Sequence, residues 1–194
     1  MTIRKILYAS DPRLRQKAKK VKDFGPHLKK LADDMLETMR QANGVGLAGP
    51  QIGVMQRIFV AEIPVDQEDP NSGQSYVIVN PELTYLSEEI EEGQEGCLSI
   101  PNWYGLVNRH RSVQIKAKDV HGKNIRLTVD GFLGRIFQHE YDHLNGVLFI
   151  DHITDKEKLW QVLPEETVEG EQIEDKDTTE ASPAEVEATA TPIA

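Results

Sequence analysis

QHEYDHLNGVLF, residues 138–149, sets two histidines four positions apart with a glutamate directly after the first. Residues at i and i+4 of a helix share a face, so His139 and His143 can converge on one metal ion while Glu140, one position on, handles a proton. The helix extends back from there: Asp130 is the expected N-cap, the body runs from about Gly131 to Leu144, and Asn145-Gly146 closes it. Phe132, Ile136, His139 and His143 line one stripe, and Leu133, Phe137, Glu140 and Leu144 line the neighbouring one. A helix apolar on two adjacent stripes is buried over most of its circumference. Histidines and a glutamate inside such a helix need a chemical reason.

Flanking stretches show their own periods. PHLKKLADDMLETMRQA, residues 26–42, places Leu28, Leu31, Met35, Leu36 and Met39 at helical spacing with lysines and acids opposite; Pro26 suits a first turn and Asn43-Gly44 a stop. GVGLAGPQIG, residues 44–53, is too rich in glycine to read as regular structure. Strand-like segments follow at 56–63 and 75–80, separated by the polar DQEDPNSGQ. SVQIKAKD and NIRLTVD alternate apolar and polar residues around Val120-His121-Gly122-Lys123, as a half-buried hairpin does, with His121 an exposed turn residue. The class expected is α+β: antiparallel sheets packed around a central buried helix carrying HExxH, in a single domain.

The chain has 194 residues, 39% of them hydrophobic, enough for one domain with a sizeable core. Its net charge of −10 is unevenly spread: Glu165 to Ala194 holds ten acids and one lysine, leaving 22 acids and 21 bases elsewhere. A nearly neutral body has no electrostatic footprint for nucleic acid, and an acidic tail is repelled by phosphates. After Leu163 there is no aromatic residue and few large apolar ones, a composition that implies disorder. Residues 1–163 are expected to form the one folded domain, which carries the HExxH helix, and 164–194 an acidic, disordered C-terminal tail. The single cysteine excludes an internal disulfide and suggests a reducing compartment. MTIRKILYASDPRLRQ lacks the apolar core of a secretory signal and no run is long enough to span a bilayer, so a soluble cytoplasmic protein is expected.

Two imidazoles do not complete a metal site. The pattern alone leaves another reading open, with both histidines neutral core residues bonded to carbonyls and Glu140 in an ion pair. The extended form HExxHxxGxxH would use a third histidine, but position 149 is Phe149. A downstream glutamate could serve instead, yet Glu165 and Glu166 begin the tail. His152 lies past the helix end, where an exposed residue is expected. Cys97, in EGCLSIP (95–101), is then the candidate: a thiolate with two imidazoles gives three protein ligands and leaves one position open, the arrangement of a catalytic site. Its bland alternative is a small buried hydrophobe, the ordinary state of an unpaired cysteine.

GVGLAGPQIG (44–53), EGCLSIP (95–101) and QHEYDH (138–143) resemble, in this order, the three signature motifs of peptide deformylases, and the similarity runs from about residue 3 to about residue 155. The resemblance implies a metal-dependent amide hydrolase that removes the formyl group from the N-terminal formyl-methionine of nascent polypeptides and releases formate. It assigns the metal to Cys97, His139 and His143 and implies Fe(II) as the native ion, while a mixed thiolate and imidazole set also accepts Zn(II), Ni(II) or Co(II). The ion would lower the pKa of water, and Glu140 would take the water's proton and deliver it to the leaving amine. The oxyanion donors implied are the Gln51 side-chain amide and the Leu98 backbone N–H.

In the same family the main chain around Gly44, Val45 and Gly46 and at Glu95 and Gly96 pairs with the extended substrate as an added strand. Glycines at 44, 46 and 49 suit such close backbone approach. For the methionine side chain the candidates are Phe132 and Ile136, on the stripe of His139, with Val45; plain core packing is the alternative for each. Arg135, between them, is expected at the pocket rim, and Arg109 is expected to fix local structure through a carboxylate. Some relatives carry an arginine shortly after EGCLSIP that contacts the substrate backbone; Asn102-Trp103-Tyr104 stands there in this chain, so that contact is not carried over. The partners expected are N-formyl-methionyl peptides and nascent chains, with no nucleic acid and no membrane, and the protein is expected to be a monomer.

Overall fold

The computed structural model describes residues 2–65 and 69–162. The expected tail, 164–194, with Glu165 and Glu166, lies outside the described residues. In chain order the elements are α1 (Pro26–Gln41), β1 (Gly46–Ala48), β2 (Ile58–Glu62), β3 (Ser75–Leu86), β4 (Ile90–Cys97), β5 (Ile100–His110), β6 (Ser112–Lys118), β7 (Asn124–Asp130), α2 (Gly131–Leu144) and β8 (Leu159–Gln161), with short 3₁₀ turns between some of them. Five strands form one sheet in the order β1-β2-β3-β6-β7 and three form another, β4-β5-β8. All the pairings between these strands are antiparallel, which makes the class α+β. Among the described residues no helix is long and apolar enough to cross a membrane.

The core follows from the side-chain alternation of β2. Ile58 and Val60 pack with Leu28, Met35 and Met39 of α1, whereas Phe59 and Ala61 pack with Leu133, Ile136 and Phe137 of α2. One helix therefore covers each face of this part of the sheet, and a strand buried on both faces reads as a continuous apolar run. Phe137 anchors the α2 side, with its ring edge-on to Phe59 and Tyr76 at centroid distances of 5.2 and 5.5 Å. The alternating hairpin forms as read, β6 against β7 around Gly122 (φ 83°), and His121 is exposed at its turn. A third, smaller cluster of Cys97, Val107 and Phe149 with Ile100, Trp103 and Leu159 lies against the three-stranded sheet.

Two local readings are corrected and two details added. The glycine-rich segment 44–53 is regular after all: β1 pairs Gly46–Ala48 with Ala61–Phe59, and a 3₁₀ turn follows at Gly49–Ile52. Pairing with an already formed strand outweighs glycine's weak strand propensity. β3 does not stop at Asn80 but continues to Leu86. Pro81 is absorbed in a register shift between Val79 and Glu82, where Asn80 turns to φ 51° and its side chain pins the backbone of Val21. Ile100 and Pro101, directly after the Cys97 turn, open β5. Asp130 occupies the N-cap of α2 without a capping side-chain bond; its residue still belongs to the β7 ladder opposite Ser112, and Gly131, at φ 53°, makes the turn into the helix.

Candidate metal centre

Cys97 ends β4 where the ladder to β5 tightens: Gly96 faces Tyr104, then Cys97 faces Ile100 across a two-residue connection. That turn aims the thiol at the last turns of α2. Cys97 Sγ lies 3.3 Å from His143 Nε2, and one donor atom from each of Cys97, His139 and His143 falls within 4.8 Å of the others. All three side chains are buried. His139 donates its Nδ1–H to Glu95 Oε2 at 2.9 Å, which fixes the ring with Nε2 as the nitrogen turned to the other two side chains. Burial holds His143 well below its usual pKa, so it is a neutral imidazole.

Burial also pushes the Cys97 thiol up to about 12; the negative charges of Glu140 and Glu95 add to this, and hydrogen bonds from Ser99 oppose it. Such a thiol becomes a thiolate when a cation sits beside it. Two imidazole nitrogens and one sulfur are a donor set that suits a borderline-soft divalent ion. The donor set therefore fits a metal ion. Two buried polar atoms have no hydrogen-bond partner among the described residues, Glu140 Oε2 and His143 Nδ1. Burial first, then the charges of Glu95 and Asp142, raise the Glu140 pKa well above the ordinary carboxylate value.

Glu95 does more than its sequence reading allowed. Its side chain is fully buried and accepts from His139, from Arg109 Nε and Nη2 at 2.8 and 3.0 Å, and from Arg135 Nη1 at 3.0 Å. Burial works to raise its pKa, but these hydrogen bonds outweigh it and hold the carboxylate ionised far below the usual range. Arg109 fixes local structure through carboxylates, as expected, and through a second one as well: Nη1 donates to Asp142 Oδ2 at 2.6 Å. Asp142 in turn accepts from His152 Nε2 at 2.8 Å, so His152 is exposed, as expected, and is also paired to the helix. Asp142 was not singled out in the sequence. Its signal was available only as an acid beside the second histidine on a buried helix.

The other candidates gather around the same point. Gln51 is buried; its Oε1 accepts from the Ala48 N–H at 2.7 Å, which turns Nε2 toward Cys97 Sγ (3.5 Å) and Ser99 Oγ (3.3 Å). The Leu98 side chain rests on Gly44, where a Cβ would come 2.7 Å from Leu98 Cδ1. A Cβ on Gly46 would come 2.8 Å from Glu140 Cδ and closer still to Oε1, so the missing side chain makes room for the glutamate. Val45 and Ile136 are fully buried in the core cluster, and Phe132 packs partly against it. Arg135 is not a bare rim residue: it is buried and donates to the carbonyls of Glu91 (2.8 Å), Val107 (2.9 Å) and Gly93 (3.3 Å) as well as to Glu95. Phe132 and Arg135 also border an open groove of about 540 Å³ beside Glu91–Gln94. Tyr104, opposite Gly96 in the ladder, stacks on Trp160 of β8 with ring centroids 6.5 Å apart.

Residues 3–159 match the family profile described as polypeptide deformylase. A peptide deformylase of Thermomicrobium roseum is 45% identical over 167 residues, covering 86% of this chain and 94% of that protein. The crystal structure of peptide deformylase from Thermotoga maritima superposes with a TM-score of 0.74 at 38% identity, covering 80% of this chain and 100% of the other. A Met-Ala-Ser-bound peptide deformylase from Acinetobacter baumannii does so with a TM-score of 0.74 at 34% identity, covering 78% and 99%.

Proposed function

The chain belongs to the polypeptide deformylase family, and from that membership we propose that it strips the formyl group from formyl-methionine at the start of newly made polypeptides and releases formate. It is a metal-dependent hydrolase by family. The observation that carries the detailed reading is the convergence of Cys97, His139 and His143 within 4.8 Å on a buried point. Residues 1–163 are the catalytic domain in this reading, with the HExxH segment of α2 at its centre. It acts as a monomer in the cytoplasm, where a free thiol stays reduced.

Cys97 Sγ and one ring nitrogen from each histidine hold the ion, and we take Fe(II) as native with Zn(II), Ni(II) and Co(II) as substitutes. When bound, the ion supplies Lewis acidity, polarising the formyl carbonyl and lowering the pKa of water. Glu140 takes the attacking water's proton on Oε2, the oxygen without a hydrogen-bond partner among the described residues, and passes it to the departing amine. Burial raises its pKa above the ordinary carboxylate value, which makes it a stronger proton acceptor than an exposed glutamate. Gln51 Nε2 and the Leu98 N–H stabilise the oxyanion as it forms. Gln51 comes preorganised, since its own oxygen is tied to Ala48.

The substrate lies extended between two strands that end their sheets, β1 and β4. Main-chain groups of Gly44–Gly46 on one side and Glu95–Gly96 on the other pair with it. Val45, Phe132 and Ile136 receive the methionine, while Arg135 ties the wall of that pocket to Glu95. The Acinetobacter baumannii relative binds a Met-Ala-Ser peptide, which supports a short methionyl peptide as the class of ligand.

Incubating the metal-loaded protein with formyl-Met-Ala-Ser and measuring formate tests the reading. One formate per peptide with no internal cleavage is expected. No formate from protein loaded in turn with Fe(II), Zn(II), Ni(II) and Co(II) overturns it. Metal analysis after anaerobic purification, set beside the activity of each form, decides the native ion. Full activity with zinc and none with iron reverses the choice of Fe(II).

A further inference from the structure

The outward positions of β3, β6 and β7 carry a charge arrangement that deformylation does not use. Lys116 on β6 stands directly opposite Arg126 on β7, with Glu82 of β3 on its other side. Like charges facing each other across an antiparallel pair destabilise it. Glu82 does not cancel both, because Lys20 Nζ already lies 2.8 Å from its carboxylate. Lys118 is fixed in place by the Gly122 carbonyl at 3.1 Å and Asn124 Oδ1 at 2.9 Å, neither of which neutralises it. Among the described residues neither Lys116 nor Arg126 forms an ion pair, while other surface cations such as Lys29, Arg40 and Arg111 do. Lys20, Lys116, Lys118 and Arg126, with the single acid Glu82, thus surround a concavity of about 570 Å³. The body of the chain otherwise balances, at 22 acids to 21 bases before Glu165. A local excess of cations around a hollow is a binding feature for an anion.

We propose that the occupant is the acidic C-terminal region of the same chain, residues 165–187, which lays its carboxylates across this basic face. Charge complementarity is the first argument: the segment holds ten acids against one lysine, seven of the acids between Glu165 and Asp177. Reach is the second. The 32 residues from Leu163 onward span on the order of 100 Å when extended, against a radius of gyration of about 15 Å for a domain of this size. Tethering is the third, since a linked segment meets its site at an effective concentration on the order of millimolar, so individually weak ion pairs become populated together. A free polyanion such as RNA has to displace it and is repelled by the same carboxylates. The segment acts as a built-in competitor that reserves the basic face.

Carbodiimide coupling of the full-length protein, which joins a carboxylate directly to a touching lysine amine, tests the proposal by peptide mass mapping. At low salt, cross-links from Glu165–Glu187 to Lys20, Lys116 and Lys118 are expected. They should fall about tenfold at 1 M salt, where the Debye length is about 3 Å. The double variant Lys116→Glu/Arg126→Glu, altered only at exposed positions, should lose the cross-links to Lys20 and Lys118 and keep its formate release. The milder Lys116→Gln should lower them partway. Cross-links spread evenly over Lys5, Lys29 and Lys30, or none from the segment at low salt, overturn the proposal. So does protection of Lys116 and Lys118 by a single-stranded RNA oligomer in protein that shows no cross-link from the segment, which would assign the face to an external polyanion.

Discussion

Replacing Gly46 by alanine should separate turnover from metal binding. Gly46 lies in β1 with a φ outside the positive region, so its backbone accepts a side chain. Space is the obstacle. The added Cβ would stand 2.8 Å from Glu140 Cδ and 3.0 Å from Glu140 Cγ, where carbon atoms rest at about 3.5–4.0 Å. β1 cannot retreat, because Gly46 is held in the ladder opposite Ala61. The carboxylate must therefore yield by about 1 Å, a misplacement that costs about 100-fold in rate, or about 2.7 kcal/mol of barrier. The main-chain N–H and C=O of residue 46 survive, so KM for formyl-Met-Ala-Ser should change little while kcat falls. None of the three atoms nearest to the new Cβ belongs to a metal ligand, so metal content should match wild type. Steady-state formate release, metal analysis and thermal unfolding on the same preparation read all three quantities. A kcat within about threefold of wild type would mean that the position of Glu140 does not govern the chemistry, and the base assignment would fall with it.

Glu140→Gln should keep the ion and lose about 10²–10⁴-fold in kcat. It should also raise the melting temperature of metal-free protein, because it removes a buried carboxylate with an unpartnered oxygen; a lower melting temperature would contradict the electrostatic reading. Glu95→Gln should weaken metal affinity by about 10–100-fold in chelator competition, since His139 loses the anion that orients it; unchanged affinity would reduce Glu95 to a packing residue. The pKa of Asp34, a buried residue of α1, is lowered from 3.8 to about 2, first by the Thr2 N–H and, against the opposing effect of burial, by Arg4 and Lys30. A depressed carboxylate stabilises the fold fully above its unfolded pKa and loses that contribution as pH falls through the folded one. The stability gap between wild type and Asp34→Asn in urea should thus be open at pH 6 and narrow between about pH 4 and pH 2; a gap of equal size at pH 6 and pH 2.5 would refute the assignment.

Periodicity made α1, α2 and the β6–β7 hairpin legible in the sequence, because each buries one regular set of side chains whose spacing is local. β1 was not legible. Its glycine has no pattern of its own, and it becomes a strand through β2 and a glycine through Glu140, two partners far away in sequence. β4, read only at its end, is another such case. IEEGQEGC shows no apolar alternation, since its inner positions are occupied by charge and glycine rather than by hydrophobes. The ligand trio could be found by elimination, because metal chemistry restricts the residue types to a handful. The carboxylate network could not. Glu95, Arg109, Arg135, Asp142 and His152 are ordinary surface types by composition, and only the approach of β4, β5 and α2 turns them into a ladder behind His139, buried at Glu95, Arg109 and Arg135.

In the proposed mechanism, that ladder gives two glutamates of one small site opposite duties. Glu95 and Glu140 are both fully buried, and burial pushes each toward the protonated form. At Glu95, hydrogen bonds from His139 and Arg109 reverse that push and keep the group an anion at any working pH, so it can hold an imidazole but cannot carry a proton. At Glu140 the charge of Glu95 adds to the effect of burial, and Gly46 offers space but no donor. The fixed anion therefore helps to set the affinity of the mobile one for protons. Two carboxylates driven apart in this way mark the orienting group and the acid–base group of a site. The division depends on Arg109. Without its guanidinium Glu95 would drift toward Glu140 in character, and the centre would lose both a fixed ligand and a tuned base.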